Sequence, residues 1–191
     1  MTQPAATPDR ILDFWFNQAG PAKWYEGGPA FDARVRRQFA SAVEMHARIM
    51  LALEPGERHD WQAEPWSALA LIILFDQFPR NVWRGSGRSF AYDGLAREVA
   101  SDMIERGYDW VIPGAQRDFI YLPFMHSENL DDQIFSLSCF RERLDHQRQV
   151  PYALDHHAII ERFGRFPYRN DALQRPTTEA ETAWLAERTA G

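Results

Sequence analysis

Apolar side chains recur at helical spacing along nearly the whole chain, whereas no segment alternates apolar and polar residues with the period of two typical of a strand. Phe31, Val35, Phe39 and Val43 form one such stripe, which is typical of an amphipathic helix lying on a core. Residues 68–75 leave no polar face, which predicts a central helix. The sequence therefore predicts an all-α protein of about eight helices, packed as an irregular bundle or an array of helical hairpins.

Sequence patterns in the last third of the chain predict three of these helices. Leu130, Ile134 and Leu137 recur with helical spacing and are expected to face the core. A further helix is predicted to place Leu154 inward and to end at Gly164, because glycine readily adopts the left-handed conformation that closes a helix. A capping-box spacing of Thr and Glu predicts a last helix near the C-terminus.

Chain length and composition limit the class of protein. The 191 residues, 45% hydrophobic and 14% aromatic, can bury a sizeable core, and we expect one all-helical domain over residues 1–191. The longest apolar run is far shorter than the roughly 20 residues of a membrane helix, and residues 1–10 do not resemble a secretory signal. Cys139 is the only cysteine, so no intrachain disulfide can form. These features predict a cytoplasmic protein.

The charge balance argues against some partners. A formal net charge of −6 opposes a broad electrostatic attachment to nucleic acid, so we expect neither a nucleic-acid nor a membrane partner. Nearly every basic residue is arginine, and Lys23 is the only lysine. The guanidinium group can bind a carboxylate or a phosphate at two points, so a local pocket for a small anion stays open.

Two segments end an apolar run with Phe-Pro followed by Arg and Asn. We call residues 74–81 the first Phe-Pro motif and residues 162–170 the second. Proline lacks the N–H of a helical residue and disfavours the helical conformation of the residue before it, so each Phe-Pro predicts the end of a helix. The surroundings of the two motifs differ otherwise, and no repeat near the 34-residue tetratricopeptide period is evident.

The first Phe-Pro motif has two interpretations. Asp76 and Arg80 form an ion pair in the structural one, while Arg80, Asn81 or Arg84 satisfies carbonyl groups at the helix end. In the functional one, Asp76, Arg80 and Arg84 surround a bound anion or polar ligand. A carboxylate directly after a central apolar helix needs a partner, and both interpretations supply one. Paired buried charges are often architectural, which favours the structural interpretation.

Between the two motifs lies a polar cluster, His126-Ser127-Glu128-Asn129. His126 and Glu128 are candidates for a general base and the group that orients it, or for metal ligands together with a distant His156. Their spacing matches no strong metal signature, and we expect no metal and no cofactor. The structural alternative is that Ser127 or Asn129 caps the following helix and Glu128 lies near its positive end.

The second Phe-Pro motif carries a group of cationic side chains. Arg165, Arg169 and Asn170 follow Gly164, and His156 precedes it on the same predicted helix. Arginines in this pattern can hold a carboxylate or phosphate ligand. The alternative, which is at least as well supported, is that they pair with carboxylates of this acidic protein.

Five segments together resemble the bacterial family called domain of unknown function 924. They are residues 11–16, 23–25, 69–81, 121–128 and 162–170. The resemblance covers almost the whole chain and implies an all-helical, tetratricopeptide-like superhelical fold, but no settled activity and no catalytic residues. Two positions depart from the family pattern, since Tyr168 stands where a histidine is usual and Gln174 where a glycine is expected. A step that needed that histidine would not be available to this chain.

We therefore predict a pocket that binds a small anionic or polar molecule. Chemistry on that molecule, such as hydrolysis with His126 or His156 as the base, would be an extension of binding. The alternative is a tetratricopeptide-like scaffold for a protein partner, in which the polar motifs are internal staples and a groove is the working surface. The predicted pocket residues are Asp76, Arg80, Asn81, His126, Glu128, His156, Arg165, Arg169 and Asn170.

Overall fold

The computed structural model of the protein describes residues 6–24 and 27–189. Tyr25, which belongs to the family segment 23–25, and residues 1–5 lie outside the described residues. Every regular element in the described part is helical and none is a strand, which confirms the all-α prediction. The α-helices are α1 Pro8–Leu12, α2 Pro21–Trp24, α3 Pro29–Leu51, α4 Pro65–Ile72, α5 Phe78–Val82, α6 Asp93–Glu105, α7 Gly114–Met125, α8 Leu130–Glu142, α9 Val150–Phe163 and α10 Glu179–Thr189.

The chain divides by its internal contacts into two compact units. Of the described residues, 6–24, 27–84 and 88–123 belong to unit 1, and 85–87 and 124–189 belong to unit 2. None of the helices in the described ranges is long and apolar enough to cross a membrane. The superhelical arrangement implied by the family resemblance stays a prediction.

The core of unit 1 is built around α4. Every side chain from residue 68 to residue 75 is fully buried, which confirms the predicted central helix. Helices α1 and α6 pack on α4, and α3 packs on α5. An aromatic cluster fills the space between these helices, with ring centroids 4.9 Å apart for Phe14 and Phe39 and 4.5 Å apart for Phe39 and Phe78.

The first Phe-Pro motif does not end a helix, so this prediction was wrong. A π-helical turn, Ile73–Gln77, joins α4 directly to α5, and Phe78 keeps helical torsion angles. Pro79 falls in the first turn of α5, where a missing N–H costs nothing. The wider π turn thus lets the chain stay helical through the proline.

In unit 2, α8 packs against α9, and α9 ends at Gly164 in the left-handed conformation, as predicted. The Phe166-Pro167 pair of the second Phe-Pro motif lies beyond this end, and Pro167 opens a short 3₁₀ turn, Pro167–Arg169. Its proline therefore starts a turn, while the glycine ends the helix. The predicted capping box precedes α10, since Thr178 N donates to Glu181 and Glu181 N donates to Thr178 Oγ1 at 2.7 and 3.2 Å.

Helix α8 is rotated differently from the prediction. Asn129 caps the helix, which was one of the two predicted alternatives. Its side chain accepts hydrogen bonds from the N–H groups of the two residues that follow Leu130. Leu130 and Ile134, which were expected to face the core, are exposed, and Gln133 is fully buried in their place. The buried amide bonds to the chain segment after α7, which sets the rotation. The prediction that Leu154 points inward was also wrong, since this side chain is exposed.

Candidate functional site

The predicted pocket residues are divided between the two units. Unit 1 holds those of the first Phe-Pro motif, and unit 2 holds those of the polar cluster, of α9 and of the second Phe-Pro motif. In unit 1 they are Asp76, Arg80 and Asn81, and in unit 2 His126, Glu128, His156, Arg165, Arg169 and Asn170.

In unit 1, Arg80 bridges two carboxylates. Its guanidinium lies 3.3 Å from the carboxylate of Asp76, which is fully buried, and also donates to the Asp76 carbonyl oxygen. It donates to both carboxylate oxygens of Asp93, at 2.9 and 3.1 Å. Gln77 Nε2 adds a bond of 2.5 Å to Asp76. The predicted Asp76–Arg80 pair is therefore present, and Asp93 is a partner that the sequence did not indicate.

Asn81 belongs to a neighbouring network around Asp32. Nδ2 of Asn81 donates to Asp32 at 2.9 Å, and Arg84 makes two bonds of 2.6 and 3.0 Å to the same carboxylate. Burial raises the pKa of Asp32, but the hydrogen bonds from Arg84 and Asn81 outweigh it and hold the pKa below its usual range. These bonds tie the start of α3 to α5 and the residues after it. Asp32 and Asp93 each lie in the first turn of a helix. Acidic residues are common there, so the sequence did not indicate that these two bind arginines.

In unit 2, Glu128 joins the polar cluster to the second Phe-Pro motif. Arg175 donates to both of its carboxylate oxygens, at 2.7 and 2.9 Å, and the N–H of Phe166 donates at 2.8 Å. Burial raises the pKa of Glu128, and the bonds from Arg175 and Phe166 lower it by more, so the group is held ionised. Arg175 is a second partner that the sequence did not indicate.

Arg165 and Asn170 both bind Glu181, which forms the capping box of α10 together with Thr178. Arg165 makes two bonds to Glu181, at 2.6 and 2.8 Å, and Asn170 Nδ2 lies 3.4 Å from the same carboxylate. Arg165 is the main cause that lowers the pKa of Glu181 to about 2. The interpretation that the arginines pair with the protein's own carboxylates is confirmed for Arg165.

Arg169 is held in a buried position by two contacts. It is only 6% exposed, and its guanidinium lies over the ring of Phe166, 4.6 Å from the centroid. NH2 of Arg169 donates to the carbonyl oxygen of His126 at 2.9 Å. The first contact comes from its own motif and the second from the polar cluster, so the guanidinium has a fixed place.

His156 lies in the same neighbourhood. The carbonyl oxygen of Tyr152 is 2.9 Å from Nδ1, so the neutral ring carries its proton there and keeps a lone pair on Nε2. The hydroxyl of Tyr168 lies 3.4 Å from Nε2 and donates to it. The pKa of His156 is lowered to about 4, mainly by burial and then by the nearby charges of His126 and Arg169, while the bond to Tyr152 and the charge of Asp155 raise it by less. His156 is therefore neutral near pH 7.

The unit 2 residues thus gather three groups that can carry positive charge: His126, His156 and Arg169. In the described part of the chain, no group of three or more His, Cys, Asp or Glu side chains is placed to hold a metal ion. What the arrangement offers chemically is a set of N–H donors and a neutral imidazole lone pair. These suit an anionic or polar ligand better than a cation.

Unit 1 also has an open cleft of about 280 Å³ that contains none of the predicted residues. Side chains from α1, the turn after it, α4 and α7 form its walls, and acidic and aromatic groups are prominent among them. They include Asp9, Asp13, Phe16 and Trp66. The cleft therefore differs in chemistry from the unit 2 residues.

Comparisons with known proteins agree with the fold. The model of a family described as "Bacterial protein of unknown function (DUF924)" matches residues 11–189. Among solved structures, the chain is similar to the protein of unknown function ATU0120 from Agrobacterium tumefaciens, with 38% sequence identity and a TM-score of 0.84. That similarity covers 94% of this chain and 97% of the other. No curated protein matches the chain in sequence.

Proposed function

Because the chain belongs to DUF924, a bacterial family of unknown function, we propose its function from its own geometry: unit 2 binds a small anionic molecule through His126, His156 and Arg169. The observation that carries the proposal is the proximity of these three groups. Their charges are close enough for His126 and Arg169 to oppose the protonation of His156. A bound anion would reverse that opposition, because it interacts favourably with all three.

The position of Arg169 supports binding with little loss of side-chain freedom. Its guanidinium is already ordered by the Phe166 ring and by the His126 carbonyl group. A donor that is ordered before the ligand arrives costs less conformational entropy on binding. Its burial also strengthens the attraction to an anion, because the surroundings screen charge less than water does.

The other predicted residues receive supporting roles in this proposal. Glu128, Arg165 and Asn170 join the polar cluster, the second Phe-Pro motif and the start of α10. The first Phe-Pro motif, with Asp76, Arg80 and Asn81, serves the internal structure of unit 1. The proposed site is therefore smaller than the pocket predicted from the sequence.

Carboxylates and phosphates are the ligand classes that fit these donors. Binding should take up a proton in part, because an anion beside His156 raises the low pKa of its imidazole. The affinity is therefore expected to increase as the pH falls from 7 towards 5. A neutral polar ligand would show no such dependence.

The test is a thermal-shift screen of small carboxylates and phosphates, followed by calorimetric titration of the best compound. Arg169→Lys keeps the charge but loses the forked donor, and we expect the affinity to fall about tenfold or more. Arg188→Gln is the matched control, since it also removes the forked donor of an arginine in unit 2, one that pairs with Asp155 at the surface. Equal affinities of Arg169→Lys and the wild type would refute the proposal.

The second candidate function is a protein-interaction scaffold, in which the polar motifs only hold the helices together. It is favoured by the hydrogen bonds that Glu128, Arg165 and Asp76 make to other residues of the protein. If no carboxylate or phosphate stabilises the wild type, and Arg169→Lys only lowers the melting temperature, the scaffold is the better account.

A further inference from the structure

Helix α8 buries polar side chains and exposes apolar ones. Gln133 and Ser136 are fully buried, whereas Leu130 is 40% and Ile134 52% exposed. Phe135 adds exposed apolar surface, although its ring also contacts Phe124. Single exposed apolar residues are ordinary, but a row of them along one helix is typical of an interaction surface. We call Leu130, Ile134 and Phe135 the α8 face.

Hydrogen bonds fix the rotation that exposes this face. Nε2 of Gln133 donates to the carbonyl oxygens of Met125 and Ser127, at 2.8 and 2.6 Å. These carbonyl groups lie at the end of α7 and just beyond it, where helical N–H donors run out. Turning α8 to bury Ile134 would remove this donor from buried acceptors, which is unfavourable. The α8 face therefore stays outward in the folded unit.

We propose that the α8 face binds the same face of a second copy of the chain, with the two α8 helices antiparallel. The charges at the two ends of α8 support this occupant and this direction. Asp131 lies in the first turn and Arg141 in the last, and both are exposed. In an antiparallel pair centred at the level of residue 136, Asp131 of each copy faces Arg141 of the other.

The two-fold symmetry makes this charge match occur twice. A parallel pair would instead place Asp131 beside Asp131 and Arg141 beside Arg141, which repel. A helix of 13 residues is about 20 Å long, so the interface is small and the dimer is expected to dissociate readily. The inference is independent of the proposed anion site, because it uses none of its residues.

The first test is sedimentation equilibrium of the full chain from about 5 to about 500 µM, a range that suits a small, weak interface. We expect the mean mass to rise from that of one copy towards that of two. Ile134→Glu should remain monomeric throughout, with an unchanged melting temperature. Leu51→Glu is the matched control, since Leu51 is an aliphatic residue in unit 1 that is 74% exposed, and it should associate like the wild type.

The second test determines the direction of the helices by mixing two charge variants. Asp131→Arg alone places arginine opposite arginine, and Arg141→Asp alone places aspartate opposite aspartate, so each should associate more weakly than the wild type. An equimolar mixture pairs the two variants with both contacts attractive. We expect the mixture to recover the association, and high salt to weaken it.

Several outcomes would overturn the proposal. A wild type that stays monomeric at the highest concentration would exclude the second copy as the occupant of the α8 face. Association that persists in Ile134→Glu would place the dimer contact elsewhere. A mixture that associates no better than its components would exclude the antiparallel arrangement.

Discussion

The polar groups of the two units differ in how their charges are balanced. In unit 1, the guanidinium of Arg80 lies between the carboxylates of Asp76 and Asp93, so opposite charges meet directly. In unit 2, Arg169 lies near His126 and His156, which can only add positive charge. The carboxylate of Glu128 also acts on Arg169, but it is already bound at two points by Arg175. The first arrangement satisfies itself, whereas the second is improved by an anion from outside. Similar sequence motifs can thus produce an internal support in one place and a candidate binding site in another.

The largest expected effect tests the unit 1 side of this comparison. Arg80→Met removes the guanidinium and leaves the buried Asp76 carboxylate without its main positive neighbour. The free energy of unfolding should fall by about 3 kcal/mol or more, as is typical when one partner of a buried ion pair is lost. Urea denaturation measures this change.

The control for Arg80→Met is Arg188→Met, which breaks an exposed ion pair with Asp155 in unit 2. This change should cost less than about 1 kcal/mol, because water screens exposed pairs. Similar losses in the two variants would contradict the view that the unit 1 network is a structural support.

The next prediction concerns acid stability and a buried histidine pair in unit 1. The N–H of Trp61 donates to His59 Nδ1 at 3.0 Å, so neutral His59 carries its proton on Nε2. That proton is donated to His46 Nδ1 across 2.9 Å, and His46 Nε2 is buried without a hydrogen-bond partner in the described residues. Either ring can gain a proton only by breaking one of these bonds.

This arrangement predicts a loss of stability in acid. Burial, and then the charge of His59, lower the pKa of His46 from 6.5 to about 4. Between these values the unfolded chain binds the proton more readily, so stability is complete above pH 6.5 and decreases as the pH falls towards 4. The loss reaches up to about 3 kcal/mol, since one pKa unit corresponds to about 1.4 kcal/mol. Urea unfolding at several pH values checks it, and an equal slope in His46→Gln would contradict it.

Local signals were predictable from the sequence, and distant partners were not. Gly164 ends α9 and Asn129 caps α8 because the residue type alone favours these conformations. Asp93 and Arg175 form ion pairs only after folding brings them beside Arg80 and Glu128. The spacing of residues in the sequence therefore does not indicate these pairs. The spacing of Leu130 and Ile134 predicted the helix α8 correctly but the wrong buried side, because spacing alone does not include the hydrogen bonds that bury Gln133.

A smaller effect would sharpen the contrast between His46 and His156. Both have a pKa of about 4 and burial is the main cause in each, but positive groups of the proposed anion site contribute only at His156. Saturating phosphate should therefore raise the pKa of His156 by roughly one unit and leave that of His46 unchanged. NMR titration of the imidazole protons measures both values in one sample. Equal shifts would mean that phosphate acts through ionic strength and not at a site.

The smallest expected effect concerns Tyr168, which neighbours His156. Its hydroxyl lies 3.4 Å from His156 Nε2 and its side chain is exposed, so the hydrogen bond that Tyr168→Phe removes is long and solvated. Stability should change by less than about 0.5 kcal/mol, and anion affinity by less than about threefold.

Tyr168→His is the informative companion, because a third imidazole would add a group that gains charge as the pH falls. Its anion affinity should exceed that of the wild type at pH 6 and match it at pH 8, as calorimetric titration would show. If Tyr168→Phe instead abolished binding, the hydroxyl itself would contact the ligand, and the site would be centred on Tyr168 and His156 more than on Arg169.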